Sequence, residues 1–290
     1  MAVQDFYFFG SYNAFRFLFD EFPSSTAIGW SFRKLRSGYN GACIRVRRHS
    51  DDAEMDIYFV NNILDVLAII TFCGASNGSI SIFYDQGLNG LNAFKTDPSF
   101  QPLIFADGLI CIDTKTLKPA ALFNGSKDLE TTDVNVNTMT LFSLDSYYNG
   151  EIQAFVSAGG HTSLLTGSRR AAILWNRDGP NKRFSSAYNA NIQLSDVAQS
   201  HNDADIQFSF FNYETQKFGG ILNDNPLVSV STTLAVPQSR PITLGSTRYD
   251  GDGSLEYMFG FKSETIIYLE DNTADATRII ENINAFYGIY

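Results

Sequence analysis

Apolar and polar side chains alternate in Met139-Thr-Leu-Phe-Ser-Leu144 and in Ile206-Gln-Phe-Ser-Phe-Phe211. Because successive side chains of a β-strand point to opposite faces of the sheet, this period of two predicts strands with one buried face. The same alternation returns in Ser79 to Tyr84 and in Leu255 to Phe261. The four stretches predict half-buried antiparallel strands.

Turn signals separate the predicted strands. They are Asn77-Gly78, Asn89-Gly90, Asp107-Gly108, Asn124-Gly125, Asn149-Gly150, Asp178-Gly-Pro180 and Asp250-Gly-Asp-Gly253. Asn, Asp and Gly tolerate the left-handed backbone conformation that two-residue hairpins require. Many short strands joined by such turns predict an all-β protein, a β-sandwich of the jelly-roll type.

Few helices are expected. The apolar pattern predicts only two, over residues 62–72 and residues 274–287. Thr273 is expected to cap the start of the C-terminal helix, and Gly288 is expected to end it in the left-handed conformation. No internal repeat is visible, so one continuous sandwich is expected.

The composition limits the classes of function. The chain has 290 residues, 44% of them hydrophobic, and a net charge of −10. An acidic surface repels phosphate backbones and anionic headgroups, so nucleic acid is not an expected partner. No membrane span or signal peptide is expected, because the apolar runs are short and Asp5 and Arg16 interrupt the N-terminal one. Cys43, Cys73 and Cys111 lack zinc-site spacing and are expected to be buried free thiols.

The N-terminal segment is unusually aromatic. Its nine aromatic residues are Phe6, Tyr7, Phe8, Phe9, Tyr12, Phe15, Phe17, Phe19 and Phe22. Their spacing fits neither a strand nor a helix, so the segment either packs on the main domain or docks onto another protein. Pro23 to Thr26 forms the expected boundary. We therefore divide the chain into a docking segment, 1–27, and a sandwich domain, 28–290, with Phe6, Tyr7, Phe8, Phe9, Tyr12 and Phe15 as the docking residues.

Four segments carry a family resemblance. They are Phe32-Arg-Lys-Leu-Arg-Ser-Gly-Tyr-Asn-Gly41; residues 44–57; Phe72-Cys73 with residues 79–87 and Asn89-Gly90; and Leu244-Gly245 with residues 258–268 and 280–290. In order and spacing they are similar to the catalytic domain of fungal-type α-L-arabinofuranosidase B. Lys118 to Ser126 resembles the first strand of laminin-G-like, concanavalin A-like jelly rolls. The resemblance implies a concanavalin A-like β-sandwich. The combination, with its ending Asn-Ile-Asn-Ala-Phe-Tyr-Gly-Ile-Tyr, also resembles bacteriophage virion proteins of tail fibres and head fibres.

The resemblance locates the family's nucleophile, a Glu at a strand end. The matching stretch is Gln153 to His161, and the Glu position falls at His161. The two adjacent cysteines of the family become Gln153 and Ala154. A histidine cannot form the usual glycosyl ester, and Glu151 is the nearby carboxylate.

The resemblance places the family's acid/base Asp in the turn after Leu244, where Asp250 or Asp252 occupies the position. A single surviving carboxylate implies that hydrolysis is lost, because retaining glycosidases need two. The family's disulfide partner of Cys73 is replaced by Gly78, which implies assembly in a reducing cytoplasm.

Several residues are candidate ligands for a host-surface glycan, by ring stacking or by hydrogen bonds to hydroxyls. They are Trp175, Asp85, Asp250, Asp252, Tyr249 and His161. No catalytic residue, cofactor or metal site is assigned, and Asp250 and Asp252 are the weak candidates for calcium. The basic residues 45–48 and the acidic residues 51–56 are expected to neutralise one another rather than to bind a charged glycan.

These inferences predict a non-enzymatic bacteriophage virion protein, a tail or head fibre or surface component with a lectin-like sandwich for host or glycan attachment. Its expected partners are other virion proteins, contacted by the N-terminal segment, and further copies of itself, with a trimer favoured. It would assemble in the host cytoplasm. Two alternatives stay open: a glycoside hydrolase with a rearranged site, and a capsid decoration protein without a ligand.

Overall fold

The computed structural model describes residues 16–147, 153–158, 171–175, 184–188, 191–195, 204–231, 239–248 and 255–290. Its strands are β1 (Ala27–Ser31), β2 (Ile44–Arg48), β3 (Glu54–Ile57), β4 (Phe59–Val60), β5 (Ile63–Leu64), β6 (Gly78–Phe83), β7 (Ala93–Phe94), β8 (Leu103–Ala106), β9 (Leu109–Ile110), β10 (Ala121–Asn124), β11 (Leu129–Val134), β12 (Thr138–Tyr147), β13 (Gln153–Ala158), β14 (Ala171–Trp175), β15 (Phe184–Tyr188), β16 (Asn191–Ser195), β17 (Ala204–Asn212), β18 (Lys217–Leu222), β19 (Val228–Ser231), β20 (Arg240–Leu244), β21 (Ser246–Arg248), β22 (Leu255–Tyr257) and β23 (Phe259–Tyr268). The α-helices are α1 (Leu18–Glu21), α2 (Val66–Cys73) and α3 (Ala276–Tyr287).

The strands pair antiparallel in two large layers. One layer has the order β19-β18-β17-β12-β23, and both β1 and β10 pair with the far side of β23. The other has the order β3-β2-β6-β7-β11-β20-β13-β14-β15-β16. Strand β8 pairs with β6 and with β10, and so links the two layers. The expected all-β sandwich of antiparallel strands with few helices is confirmed.

Hydrophobic side chains are buried on both faces of the β12, β17 and β23 layer. Leu141 and Ile267 belong to the core between the layers. Phe142 and Ile266 belong to a second core on the outer face, which α1 and α3 cover. All described residues of β17 are buried, so the expectation of half-buried strands is wrong for this layer. Helices from the two ends of the chain remove its outer face from water.

Both expected helices exist with shifted starts. Residues 62–65 do not begin α2, because β4 and β5 form a hairpin there and Asp65 then caps the helix, accepting a hydrogen bond from the Ala68 amide at 3.0 Å. Helix α3 begins at Ala276, and Thr273 starts a short 3₁₀ turn without a side-chain cap. Gly288 ends α3 with a φ of 68°, as expected.

The part of the aromatic segment that is described packs on the sandwich. Leu18, Phe19 and Phe22 are buried in the outer core with α3. The docking residues Phe6, Tyr7, Phe8, Phe9, Tyr12 and Phe15 lie outside the described residues. The division of the chain at residue 27 stays a prediction.

Cys43, Cys73 and Cys111 are buried free thiols, as expected. Burial raises the pKa of all three, that of Cys111 to about 12. A Cβ atom at Gly78 would lie 2.6 Å from the Cys73 sulfur. Gly78 therefore faces Cys73. A cysteine side chain at position 78 would lie within reach of the Cys73 sulfur.

We expect Gly78→Cys to form a disulfide with Cys73 on oxidation and to raise the free energy of unfolding by about 2 kcal/mol, because it closes a short loop of the unfolded chain. The matched control is Gly78→Ala, whose methyl group meets the same sulfur without bonding and should cost about 1–3 kcal/mol. Urea unfolding with and without reductant measures both. Equal stability of the oxidised and reduced Gly78→Cys protein would contradict the expected geometry.

Candidate active site

Charged and polar side chains collect at one end of the sandwich, where β12 ends and β17 and β23 begin. In the register of these strands Asp145 is opposite both Asp205 and Lys262. One step inward, Ser143 is opposite Gln207 and Thr265. We call these six residues the polar floor. All of them are buried, which is costly unless their charges and hydrogen bonds are satisfied.

Lys262 is the centre of the polar floor. Its ammonium donates hydrogen bonds to Asp145 Oδ1 at 2.6 Å and to Ser143 Oγ at 2.8 Å, and Thr265 Oγ1 lies 3.5 Å away. Burial raises the pKa of Asp145 and lowers the pKa of Lys262, while the attraction between them opposes both shifts. A buried ion pair of this kind fixes the arrangement of the strands more than it adds stability.

The polar floor has unused hydrogen-bonding capacity. Gln207 is fully buried, and among the described residues neither its amide nitrogen nor its amide oxygen has a hydrogen-bond partner. The same holds for Asp145 Oδ2. Buried polar atoms are almost always paired in folded proteins, so these atoms keep the capacity to form a hydrogen bond with a bound group.

At this part of the fold, β13 is fastened to the start of β23 and to the β21–β22 hairpin. Gln153 Oε1 accepts a hydrogen bond from the Phe259 amide at 2.7 Å, and Ser157 Oγ donates to the Ser246 carbonyl at 3.2 Å. Gly245, at a φ of 83°, turns the chain from β20 into the hairpin. The hairpin strands are joined by residues 249–254, and Glu151 precedes β13 by two residues.

Most predicted site residues lie outside the described part of the chain. These are His161, Tyr249, Asp250 and Asp252, together with Glu151. Trp175 ends β14, where its backbone pairs with Gln153 and Phe184. Among the described residues no cluster of His, Cys, Asp or Glu could hold a metal ion, and no described helix is long and apolar enough to cross a membrane.

Asp85 is described, and it holds a loop together. Its carboxylate accepts hydrogen bonds from the amides of Gly29 at 2.9 Å, Gly87 at 2.8 Å and Leu91 at 3.1 Å. Burial nevertheless raises the pKa of this carboxyl. With both oxygens occupied and only 4% of the residue exposed, Asp85 organises the loop between β6 and β7.

The basic and acidic residues around the β2–β3 turn neutralise one another, as expected. Arg45 pairs with Asp56 at 2.7 Å, and Arg48 pairs with Asp51 at 2.7 Å. The hydrogen bond from Arg48 holds the pKa of Asp51 at about 2. Both pairs tie strand residues to the adjoining turn or strand, so they brace this part of the sandwich.

Sequence reasoning missed the polar floor and a second buried ion pair, Arg33 with Glu264. The Arg33 guanidinium binds the Glu264 carboxylate through two hydrogen bonds, of 2.7 Å and 2.8 Å. One signal was available, because Lys262 and Glu264 are isolated charges within the apolar stretch Phe259–Tyr268. Charged residues inside such a stretch are rarely buried without a partner.

Solved structures of arabinofuranosidases share this two-layer antiparallel fold. A GH54 α-L-arabinofuranosidase variant soaked with 4-nitrophenyl α-L-arabinofuranoside has a TM-score of 0.68 and 17% identity over 90% of this chain and 63% of its own. An arabinofuranosidase complexed with arabinofuranosyl-α-1,2-xylobiose has a TM-score of 0.68 and 15% identity over 93% and 64%. The chain therefore spans less than two thirds of their length. Neither a family model nor a curated protein matches the sequence.

These matches correct two expectations from the sequence, a non-enzymatic surface protein and the absence of enzymatic activity. At 15–17% identity they show a shared fold, and these arabinofuranosidases, which match over 90–93% of this chain, are glycoside hydrolases. The alternative expectation, a glycoside hydrolase with a rearranged site, is the better supported.

Proposed function

We propose that this protein is a glycoside hydrolase acting on α-L-arabinofuranosides. The observation that carries the proposal is the extent of the structural similarity, a TM-score of 0.68 over 90–93% of the chain to arabinofuranosidases with arabinofuranosyl ligands.

The chemistry needs two carboxyl groups about 5–5.5 Å apart, one as nucleophile and one as general acid and base. We assign the acid and base role to Asp250 or Asp252, on the family resemblance. Because His161 stands at the family's nucleophile position, we assign the nucleophile to Glu151. Its carboxylate would attack the anomeric carbon while the Asp donates a proton to the leaving oxygen. Water activated by the same Asp would then hydrolyse the ester.

The described residues contribute positioning in this proposal. Ser157 fastens the β21–β22 hairpin to β13, and Gln153 fastens the start of β23 to β13. The Lys262 to Asp145 pair holds β23 against β12. A reaction that depends on a separation of a few ångströms requires such fixed supports.

A panel of 4-nitrophenyl glycosides tests the proposal. We expect release of 4-nitrophenolate from the α-L-arabinofuranoside and none from β-D-glucopyranoside, because a site shaped for a furanose ring excludes the larger pyranose. Heat-denatured protein gives the blank for each substrate. Release from no member of the panel would remove the proposal, and release from a pyranoside alone would assign a different substrate class.

The setting of the protein is a separate proposal. A virion location, assembly in the host cytoplasm, a host-surface glycan and docking of residues 1–27 onto other virion proteins stay predictions from the sequence. Finding the chain in purified particles, and losing it from them when residues 1–23 are deleted, would support them.

A further inference from the structure

An apolar cleft of about 200 Å³ lies between the β4–β5 hairpin and the loop after β9. Its apolar lining includes Val60, Ile63, Val66, Ile110, Ile112 and Leu117. Asp65 also lines it, and its carboxylate is engaged as the cap of α2. In another protein an apolar cavity of about 150 Å³ binds benzene, so this cleft has room for one aromatic ring.

Exposed apolar side chains border the cleft. Val60 is 48% exposed, Leu109 is 57% exposed and Leu117 is 64% exposed. The turn that carries Leu117 is closed by a hydrogen bond of 2.9 Å from its amide to the Asp113 carbonyl. A ring placed in the cleft would remove apolar surface of these side chains from water, which is favourable.

The N-terminal segment joins the described structure beside this cleft. The Arg16 carbonyl accepts a hydrogen bond from Asn282 Nδ2 at 3.4 Å, and Asn282 Oδ1 accepts one from the Arg33 guanidinium at 3.0 Å. The backbone of Arg33 is bridged to Ile63, which lines the cleft. These contacts place Arg16 within about 20 Å of Ile63, a distance that about six extended residues can span.

A second route along α3 leads to the same place. Phe286 lies one helical turn beyond Asn282. The Lys118 ammonium is 4.7 Å from the centre of the Phe286 ring. The next residue in the chain, Pro119, lines the cleft. Both routes therefore connect the end of the N-terminal segment to the rim of the cleft.

The segment before Arg16 has the chemistry and the reach to fill the cleft. Its fifteen residues contain one charged residue, Asp5, and could extend over about 50 Å. The described continuation of the segment is already buried against its own sandwich, through Leu18, Phe19 and Phe22. Six of the fifteen residues are aromatic: Phe6, Tyr7, Phe8, Phe9, Tyr12 and Phe15.

We propose that residues 1–15 fold back on their own domain and that one of their aromatic rings fills the cleft. Of the two alternatives that the sequence leaves open for the aromatic segment, this is packing on the main domain. A short tether gives a local concentration in about the millimolar range, whereas a second copy or another protein at micromolar concentration is about a thousandfold more dilute. The tether therefore favours the segment over those two occupants.

Disulfide trapping in the full chain tests the proposal. Ser11→Cys places a thiol inside the segment and keeps its six aromatic rings, and Leu117→Cys places a second thiol at the rim of the cleft. Cys43, Cys73 and Cys111 are at most 7% exposed, so they do not compete. We expect air oxidation with copper phenanthroline to join the two new thiols within one molecule, detected as a linked peptide pair by mass spectrometry.

The matched control is Ser11→Cys combined with Leu88→Cys. Leu88 is also 64% exposed, and its loop lies near α1, because the Gly87 carbonyl accepts a hydrogen bond from Arg36 and the Ser37 amide donates to Asp20. We expect the disulfide with position 117 to form at least about tenfold faster than the disulfide with position 88. Replacing the six aromatic residues by Ser should remove the difference.

Two results would overturn the proposal. Equal rates for the two cysteine pairs would mean that the segment does not occupy the cleft and is free to bind another protein. A disulfide between two molecules, in place of one within a molecule, would assign the cleft to a second copy. Melting temperatures of the reduced variants equal to that of the wild type show that each variant is folded.

Discussion

Replacing Arg33 with Leu is expected to lower the free energy of unfolding by about 3–5 kcal/mol, the cost of leaving a buried charge without its partner. Both side chains of the Arg33 to Glu264 pair are at most 2% exposed. Arg33 also donates to Asn282 of α3 at 3.0 Å, and Ser31 donates to the Glu264 carboxylate at 2.6 Å. The pair therefore joins the start of the sandwich, β23 and the C-terminal helix.

The matched control is Arg45→Leu, which breaks an ion pair of similar length whose side chains are 35% and 31% exposed. Water solvates the remaining charge there, so the expected cost is about 0–1 kcal/mol. Adding Glu264→Met to Arg33→Leu should recover part of the loss, because it removes the stranded charge. Urea unfolding measures all three. An Arg33→Leu cost no larger than that of Arg45→Leu would refute the assigned role.

Removing a catalytic carboxylate is expected to have the largest effect on activity. We expect Glu151→Gln to lower kcat for 4-nitrophenyl α-L-arabinofuranoside by about 10²–10⁴-fold, the usual contribution of a positioned catalytic group. One of the two variants Asp250→Asn and Asp252→Asn should lower kcat by a similar factor, because only one of these residues is the acid and base. KM should change little, since an amide of the same shape still fits the substrate.

The matched control is Asp133→Asn, an exposed carboxylate of β11 that should leave kcat unchanged. Melting temperatures of all variants show whether a loss of activity reflects unfolding. If Glu151→Gln retains full activity while an Asp variant loses it, the nucleophile is a different carboxylate and our assignment of Glu151 fails.

The alternation of side chains was enough to predict the sheets but not their burial. If the face of β12 with Leu141 is the buried one, a period of two places Phe142 and Leu144 on the solvent face. Both side chains are nevertheless buried. The elements that cover them, α1 and α3, come from opposite ends of the chain. Local periodicity contains no information about such distant packing, so the outer core could not be read from it.

The polar floor illustrates a second limit. Lys262 could be marked from sequence as an isolated charge in an apolar strand, but its partner Asp145 is 117 residues away. The carboxylate that Lys262 contacts depends on the register of β12 against β23. A register shift by one residue would move Asp145 to the opposite face of the sheet. The catalytic candidates near residues 151–161 and 250–252 rest on family resemblance rather than on spacing, whereas Tyr249 is a glycan candidate because it is an aromatic residue near a turn.

The most direct test of the central claim, that this sandwich is an arabinofuranosidase, is the initial rate of 4-nitrophenolate release from 4-nitrophenyl α-L-arabinofuranoside. The wild type is compared with the Asp250→Asn, Asp252→Asn double variant at equal concentration. We predict saturable release by the wild type and a loss of at least about a hundredfold in the folded double variant. Equal rates for the two proteins, or no release by the wild type above the blank, would contradict the claim.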